Sequence, residues 1–125
     1  MATILLIEDK LEIRENLAEM LELAGHEVLL ASNGIDGMNM AANKLPQIIL
    51  SDIMMPKANG YEVIKTLKAN SQTSHIPFIF LTASTERCEM QAGLDLGADA
   101  YIRKPFDEEE LMEVLSRCLS VQTPS

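Results

Sequence analysis

Short apolar runs alternate five times with segments whose apolar positions recur at helical spacing. The first run, residues 4–7, is four bulky aliphatic side chains in a row, a pattern suited to a strand covered on both faces. After it, Ile13, Leu17, Met20, Leu21 and Ala24 share one helical face, with Glu12, Arg14, Glu15, Glu19 and Glu22 outside, and Gly25 stops the segment. Residues 28–31 read as a second strand, followed by a weaker helix over about 36–43 whose glycine content blurs its ends. Ile48, Ile49 and Leu50 form the third run, ending in Ser51 and Asp52. Pro56 and Asn59-Gly60 break regular structure, so 54–60 reads as a loop before a helix marked by Tyr61, Ile64 and Leu67. Pro77 introduces the fourth run, 78–82, at the strand position where a missing N–H loses no ladder bond. A helix over about 86–96 closes at Gly97, and Ala100, Tyr101 and Ile102 make the fifth run. Asp107 is placed to cap a last helix with Leu111, Leu115 and Leu119 on one face and Glu108, Glu109 and Glu110 in its first turn, where the helix dipole favours negative charge.

Strands that alternate with helices require right-handed crossovers that cover both faces of a parallel sheet. The expected fold is therefore α/β, a doubly wound (βα)5 sandwich. A chain of 125 residues suffices for one such domain and not for two. Residues 1–120 are expected to form it, with 121–125 as a tail or the start of a linker. No stretch approaches 18 uninterrupted apolar residues, and the apolar amino terminus has no basic flank, which argues against a membrane span or a signal peptide. With 19 acidic against 10 basic residues the formal charge is -9, which disfavours direct nucleic-acid binding. Cys88 and Cys118 lack zinc or redox spacing, so a cytoplasmic protein with ordinary thiols is expected.

In open parallel sheets, ligands bind outside the carboxyl ends of the strands. Strand one ends in Glu8-Asp9, strand three in Asp52, strand four in Thr82 and strand five in Arg103-Lys104-Pro105. Three carboxylates, a hydroxyl and an ammonium thus share one rim. Carboxylates crowded in a partly buried site repel one another unless a cation sits among them, and an all-oxygen set without His or Cys suits Mg2+. An aspartate can be the nucleophile toward a phosphoryl donor. Lys104 and Mg2+ would then neutralise the phosphoryl oxygens, and Thr82 would donate its hydroxyl to one of them. Movement of Thr82 toward that oxygen would vacate space for the ring of Tyr101, coupling the charge at Asp52 to the surface made by helix four, strand five and helix five.

The chain resembles the receiver (CheY-like) domains of two-component response regulators. The resemblance rests on Ile7-Glu8-Asp9, Ser51-Asp52-Ile53-Met54-Met55-Pro56 with Gly60, Thr82-Ala83, Gly97-Ala98-Asp99-Ala100-Tyr101 and Lys104-Pro105-Phe106, and it spans about residues 3–120. It implies the flavodoxin-like strand order 2-1-3-4-5, Asp52 as phospho-acceptor, and Mg2+ held by Asp9, Glu8, Asp52 and the Met54 main-chain carbonyl. It further implies that Thr82 and Lys104 bind the phosphoryl group, that Tyr101 is the aromatic switch, and that Pro105 follows a cis bond which aims Lys104 inward. The implied donor is a histidine kinase or phosphotransfer protein docking near Ile13, Arg14 and Leu17, and the implied output is an effector domain, a downstream protein or a phosphorylation-dependent homodimer. Such a domain catalyses its own phosphorylation and dephosphorylation without turning over external substrates. Met54 and Ser84 are poorly suited to position an attacking water, so slow self-dephosphorylation is expected.

Three other functions compete. A phosphorylation-independent interaction module would be expected to lack an acid or the lysine, and none is missing. An aspartate-nucleophile phosphatase would need an acid two residues after Asp52, where Met54 stands. A nucleotide or flavin carrier would need a glycine-rich loop after strand one, where Asp9-Lys10-Leu11-Glu12 stands. The plain readings of the remaining features are that His26 and His75 are not catalytic and that Met38, Met40 and Met55 serve packing.

Overall fold

The computed structural model describes residues 2–55, 57–83 and 87–121. Pro56, Ser84, the first expected residue of the fourth helix and the tail from 122 onward lie outside them. Along the chain run β1 (Thr3–Ile7), α1 (Leu11–Leu23), β2 (Glu27–Ala31), α2 (Gly34–Lys44), β3 (Ile48–Asp52), α3 (Gly60–Lys68), β4 (Phe78–Thr82), α4 (Arg87–Asp95), β5 (Ala100–Arg103) and α5 (Glu108–Val121). The five strands form one sheet in the order β2-β1-β3-β4-β5, every adjacent pair parallel. This is the doubly wound architecture that the alternation predicts.

Its cause lies in the aliphatic runs. Successive strand residues point to opposite faces, so an unbroken run such as Ile4-Leu5-Leu6-Ile7 needs cover on both. Ile4 and Leu6 pack with Leu50, Ile79, Leu81 and Ile102 under Leu17 and Leu21 of α1 and Leu111 and Leu115 of α5. Leu5 and Ile7 face the other way, with Ile49, Phe78 and Phe80 under Val63, Ile64 and Leu67 of α3 and Ala41 of α2. Each fully buried aliphatic side chain contributes about 1.5–3 kcal/mol relative to exposure, and β1, β3 and β4 sit between the two layers.

The second helix begins two residues before the periodicity marks it. Asn33 caps it by accepting the Asp36 N–H at 2.9 Å, while its amide donates to the Asp36 carboxylate at 2.9 Å. Gly37 permits a close approach to β1, since a Cβ there would lie 2.9 Å from Ile7 Cγ1 and nearer still to Cδ1. The helix ends at Leu45, a non-glycine residue in the left-handed region with φ 48°. Asp107 caps α5 as expected, accepting the Glu110 N–H at 2.7 Å.

Candidate functional site

The parallel register brings the carboxyl ends of β1, β3, β4 and β5 to one edge, and the last strand residues and the loops that follow them carry the charged groups. Glu8, directly after β1, is fully buried. Its Oε1 accepts from Lys104 Nζ at 2.9 Å and its Oε2 from the Lys10 N–H at 3.3 Å. Asp52 closes β3; its Oδ1 accepts the Ile53 N–H at 2.7 Å and its Oδ2 accepts from Lys104 Nζ at 3.1 Å. Lys104 therefore bridges two carboxylates that are 96 and 52 residues away in sequence. Asp9 stands beside them. One carboxylate oxygen each from Glu8, Asp9 and Asp52 lies within 4.8 Å of the others, and Asp9 Oδ1 is buried with no hydrogen-bond partner among the described residues.

The electrostatics follow from this crowding. Burial pushes the Glu8 carboxyl above its ordinary value, and the charge of Asp52 adds to the rise while the Lys104 hydrogen bond opposes it. For Lys104, burial alone would favour the neutral amine, but the hydrogen bond to Glu8 and the charges of Asp52 and Glu8 reverse that and hold its pKa above the usual lysine value. One ammonium thus serves two carboxylates, and the third carboxylate has an oxygen left over. A buried, unsatisfied oxygen costs free energy. A hard cation with oxygen ligands fits this donor set, which holds neither His nor Cys.

Thr82 and Pro105 stand at the same edge, and Tyr101 lies below it on β5. Thr82 is buried at the end of β4, and its carbonyl accepts the Lys104 N–H at 2.8 Å. The Lys104-Pro105 bond is cis. Tyr101 is half-buried on the edge strand β5, its ring centroid 5.4 Å from that of Phe80. The Met54 side chain is exposed beyond Asp52. His26 lies outside this group, its Nδ1 accepting the Ala2 N–H at 3.1 Å at the start of the sheet.

Two residues named in the sequence for other reasons, Arg14 for docking and Gly60 for a loop break and the family motif, also serve the site. Arg14, read above as outward-facing, is half-buried, and its Nη1 donates to the Glu8 main-chain carbonyl at 2.9 Å, tying α1 to the acid-bearing loop. Its place in the first turn and a half of α1 was the available signal. Gly60 is the second. Its N–H donates to the Ile53 carbonyl at 2.8 Å, and a Cβ on it would lie 2.5 Å from the Asp52 carbonyl oxygen and 2.9 Å from Phe80 Cε1. Gly60→Ala is expected to destabilise the domain by about 1–3 kcal/mol, the usual range for overpacking, in a urea melt. A variant as stable as the parent would show that the loop has room to spare.

A family model described as "Response regulator receiver domain" matches residues 4–116. The chain belongs to the response regulator receiver domain family. Protein PilH of Pseudomonas aeruginosa is 38% identical over 120 residues, covering 96% of this chain and 99% of PilH. The phosphate regulon transcriptional regulatory protein PhoB of the same organism is 41% identical over 117 residues, covering 94% of this chain and 51% of PhoB. Thus the chain spans about half the length of several curated relatives and nearly all of PilH. Among solved structures, the receiver domain of sensor histidine kinase PA1611 from P. aeruginosa superposes with a TM-score of 0.89 at 29% identity, covering 95% of this chain and 98% of that one. That receiver holds a magnesium ion in its active-site cleft.

This receiver is a CheY-like signalling domain of a two-component system, and it carries an acidic cluster of metal-binding type at the carboxyl edge of its sheet. Among the described residues, no helix is long and apolar enough to cross a membrane.

Proposed function

We propose that Asp52 accepts a phosphoryl group in a Mg2+-dependent reaction and that Thr82 and Tyr101 carry the change to the α4–β5–α5 face. The observation that supports it most is the environment of Asp52, which shares one lysine with Glu8 and lies within an acidic cluster whose third member, Asp9, has a buried unpartnered oxygen. Asp9, Glu8, Asp52 and the Met54 carbonyl would hold Mg2+, the metal bound in the PA1611 receiver. When bound, the ion supplies positive charge for the phosphoryl oxygens and relieves the repulsion among the acids.

The chain's own residues do the rest. The Ile53 N–H fixes Asp52 Oδ1, leaving Oδ2 with Lys104. A carboxylate oxygen of Asp52 attacks phosphorus in line, and the P–N bond of a phosphohistidine donor breaks with its electron pair on the imidazole. Lys104 follows the negative charge from the carboxylate onto a phosphoryl oxygen, while Thr82 donates its hydroxyl to another. A histidine kinase or phosphotransfer protein would reach this edge over a hollow of about 330 Å³ lined by Ile13, Leu17, Met20, Pro105 and Phe106, beside Lys104. In this reading residues 1–120 are the receiver unit, acting in the cytoplasm, and output passes to an effector, a downstream protein or a second copy through the α4–β5–α5 face.

The test is the intact mass of the protein after incubation with Mg2+ and acetyl phosphate, for the parent and Asp52→Asn. The parent is expected to gain one phosphoryl mass, the variant none, and chelation to abolish the gain. No gain in a folded parent would favour a phosphate-independent interaction module, and a gain in both would move the acceptor elsewhere.

A further inference from the structure

Gly93 lies in the interior of α4 and is buried. Gly25 and Gly97 have φ of 94° and 108°, a conformation that calls for glycine. Gly93 is helical, and glycine is among the poorest formers of a helix interior. Its backbone therefore gives no reason for it. Space does: a Cβ built on Gly93 would lie 2.8 Å from Phe80 Cε2 and 2.9 Å from Tyr101 Cζ, and nearer still to the Tyr101 hydroxyl, whereas real Cβ contacts essentially never fall below 3.0 Å. Phe80 and Tyr101 are register partners on β4 and β5, with ring planes tilted by 36°. Phe80 is fully buried and wedged between Tyr61, Phe78 and Tyr101, so it has little freedom to yield. The Tyr101 ring is at the sheet edge and half-buried. It is the group that would move.

We infer that Gly93 is a positioning residue for Tyr101, its missing side chain being what keeps the inward seat of the ring open. Residue 93 thereby sets the balance between inward and outward rings in the unphosphorylated domain, and with it the shape of the α4–β5–α5 face. The geometry stands by itself; its consequence for signalling rests on the phosphorylation reading above. With glycine at 93 the inward seat is open to the ring before phosphorylation, so phosphoryl transfer acts by shifting a balance that residue 93 already permits.

The test uses the full chain in a Tyr61→Phe background. The protein has two tyrosines and no tryptophan, so Tyr101 is then the main intrinsic fluorophore. Adding Gly93→Ala is expected to raise acrylamide quenching of Tyr101 toward that of free N-acetyltyrosinamide, with the far-ultraviolet circular dichroism unchanged. A folded Gly93→Ala protein with unaltered quenching would overturn the inference. A double-mutant cycle covers a poorly folding variant: Gly93→Ala should lower the melting temperature less in a Tyr101→Ala background than with Tyr101 present. Equal losses in both backgrounds would also overturn it. The phosphoryl mass gain at Asp52, read on the same samples, reports separately on the phosphorylation reading, because residue 93 touches none of the reacting groups.

Discussion

Replacing Lys104 by methionine is expected to slow phosphoryl uptake from acetyl phosphate by about 10²–10³-fold, the usual effect of removing one preorganised donor from developing charge. Methionine keeps most of the side chain's length and removes only its ammonium. In the structure that ammonium bridges Glu8 Oε1 and Asp52 Oδ2. A phosphoryl group entering at Asp52 would meet it already beside the acceptor carboxylate, with only a short passage from carboxylate to phosphoryl oxygen left to make. The same deletion leaves Glu8 and Asp52 facing each other without a cation. Removing one partner of a buried pair typically costs about 3–5 kcal/mol; Lys104 retains some exposure, so a loss of about 1–3 kcal/mol is expected in Mg2+-free buffer, smaller when Mg2+ is added. The two effects are read separately, by intact mass against time and by urea melts. Uptake at the parental rate would remove Lys104 from the proposed phosphoryl site, whatever its part in stability.

Much of this architecture is legible in the chain because the physics is redundant. A run such as Ile48-Ile49-Leu50 can only be satisfied in the middle of a sheet with cover on both faces, and the helical periods between the runs supply that cover. Where the pattern is thin, tertiary contacts decide. Gly34 and Gly37 look like helix breakers, yet they lie inside α2 because the helix passes close to other groups: a Cβ on Gly34 would meet the Ala58 Cβ at 2.7 Å, and one on Gly37 would meet Ile7. Leu45 in the left-handed region carries no sequence signal, because leucine is not the residue that conformation selects.

The site shows the same division. Glu8, Asp9, Asp52 and Lys104 could be foreseen as neighbours because each stands at or just after the carboxyl end of a strand fixed by parallel topology, and the structure brings them together. Periodicity placed Arg14 on the outer face of α1, whereas its guanidinium turns back to the Glu8 carbonyl. A long, flexible side chain near a helix end is not bound by the direction of its Cα–Cβ bond. Gly60 and Gly93 act by the absence of atoms. Their role becomes visible only when the groups around them are known.

Magnesium should reverse the direction in which Glu8 contributes to this domain's stability as pH rises. The Glu8 carboxyl is pushed above its ordinary value, first by burial and then by the charge of Asp52, against the pull of Lys104. The folded domain therefore holds that proton more tightly than the unfolded chain does, where the value is near the ordinary 4.5. The stability this group contributes is full below that value and is lost as pH rises through the folded pKa. Mg2+ binds the ionised carboxylate, so its affinity rises through the same window. Going upward in pH, the Mg2+-free domain loses Glu8's contribution while the Mg2+-loaded domain gains it back, and the two melting curves diverge. At roughly 100 times its dissociation constant the ion should add about 2.7 kcal/mol, a shift of roughly 10 °C for a domain of this size. Asp9→Asn, which replaces the carboxylate bearing the unpartnered buried oxygen by an amide, should erase most of that gain at every pH. Differential scanning calorimetry of parent and variant at pH 5 and pH 8, with and without Mg2+, separates the alternatives. A gain equal at both pH values, or one that survives Asp9→Asn, would place the ion's effect outside the Glu8–Asp9–Asp52 cluster.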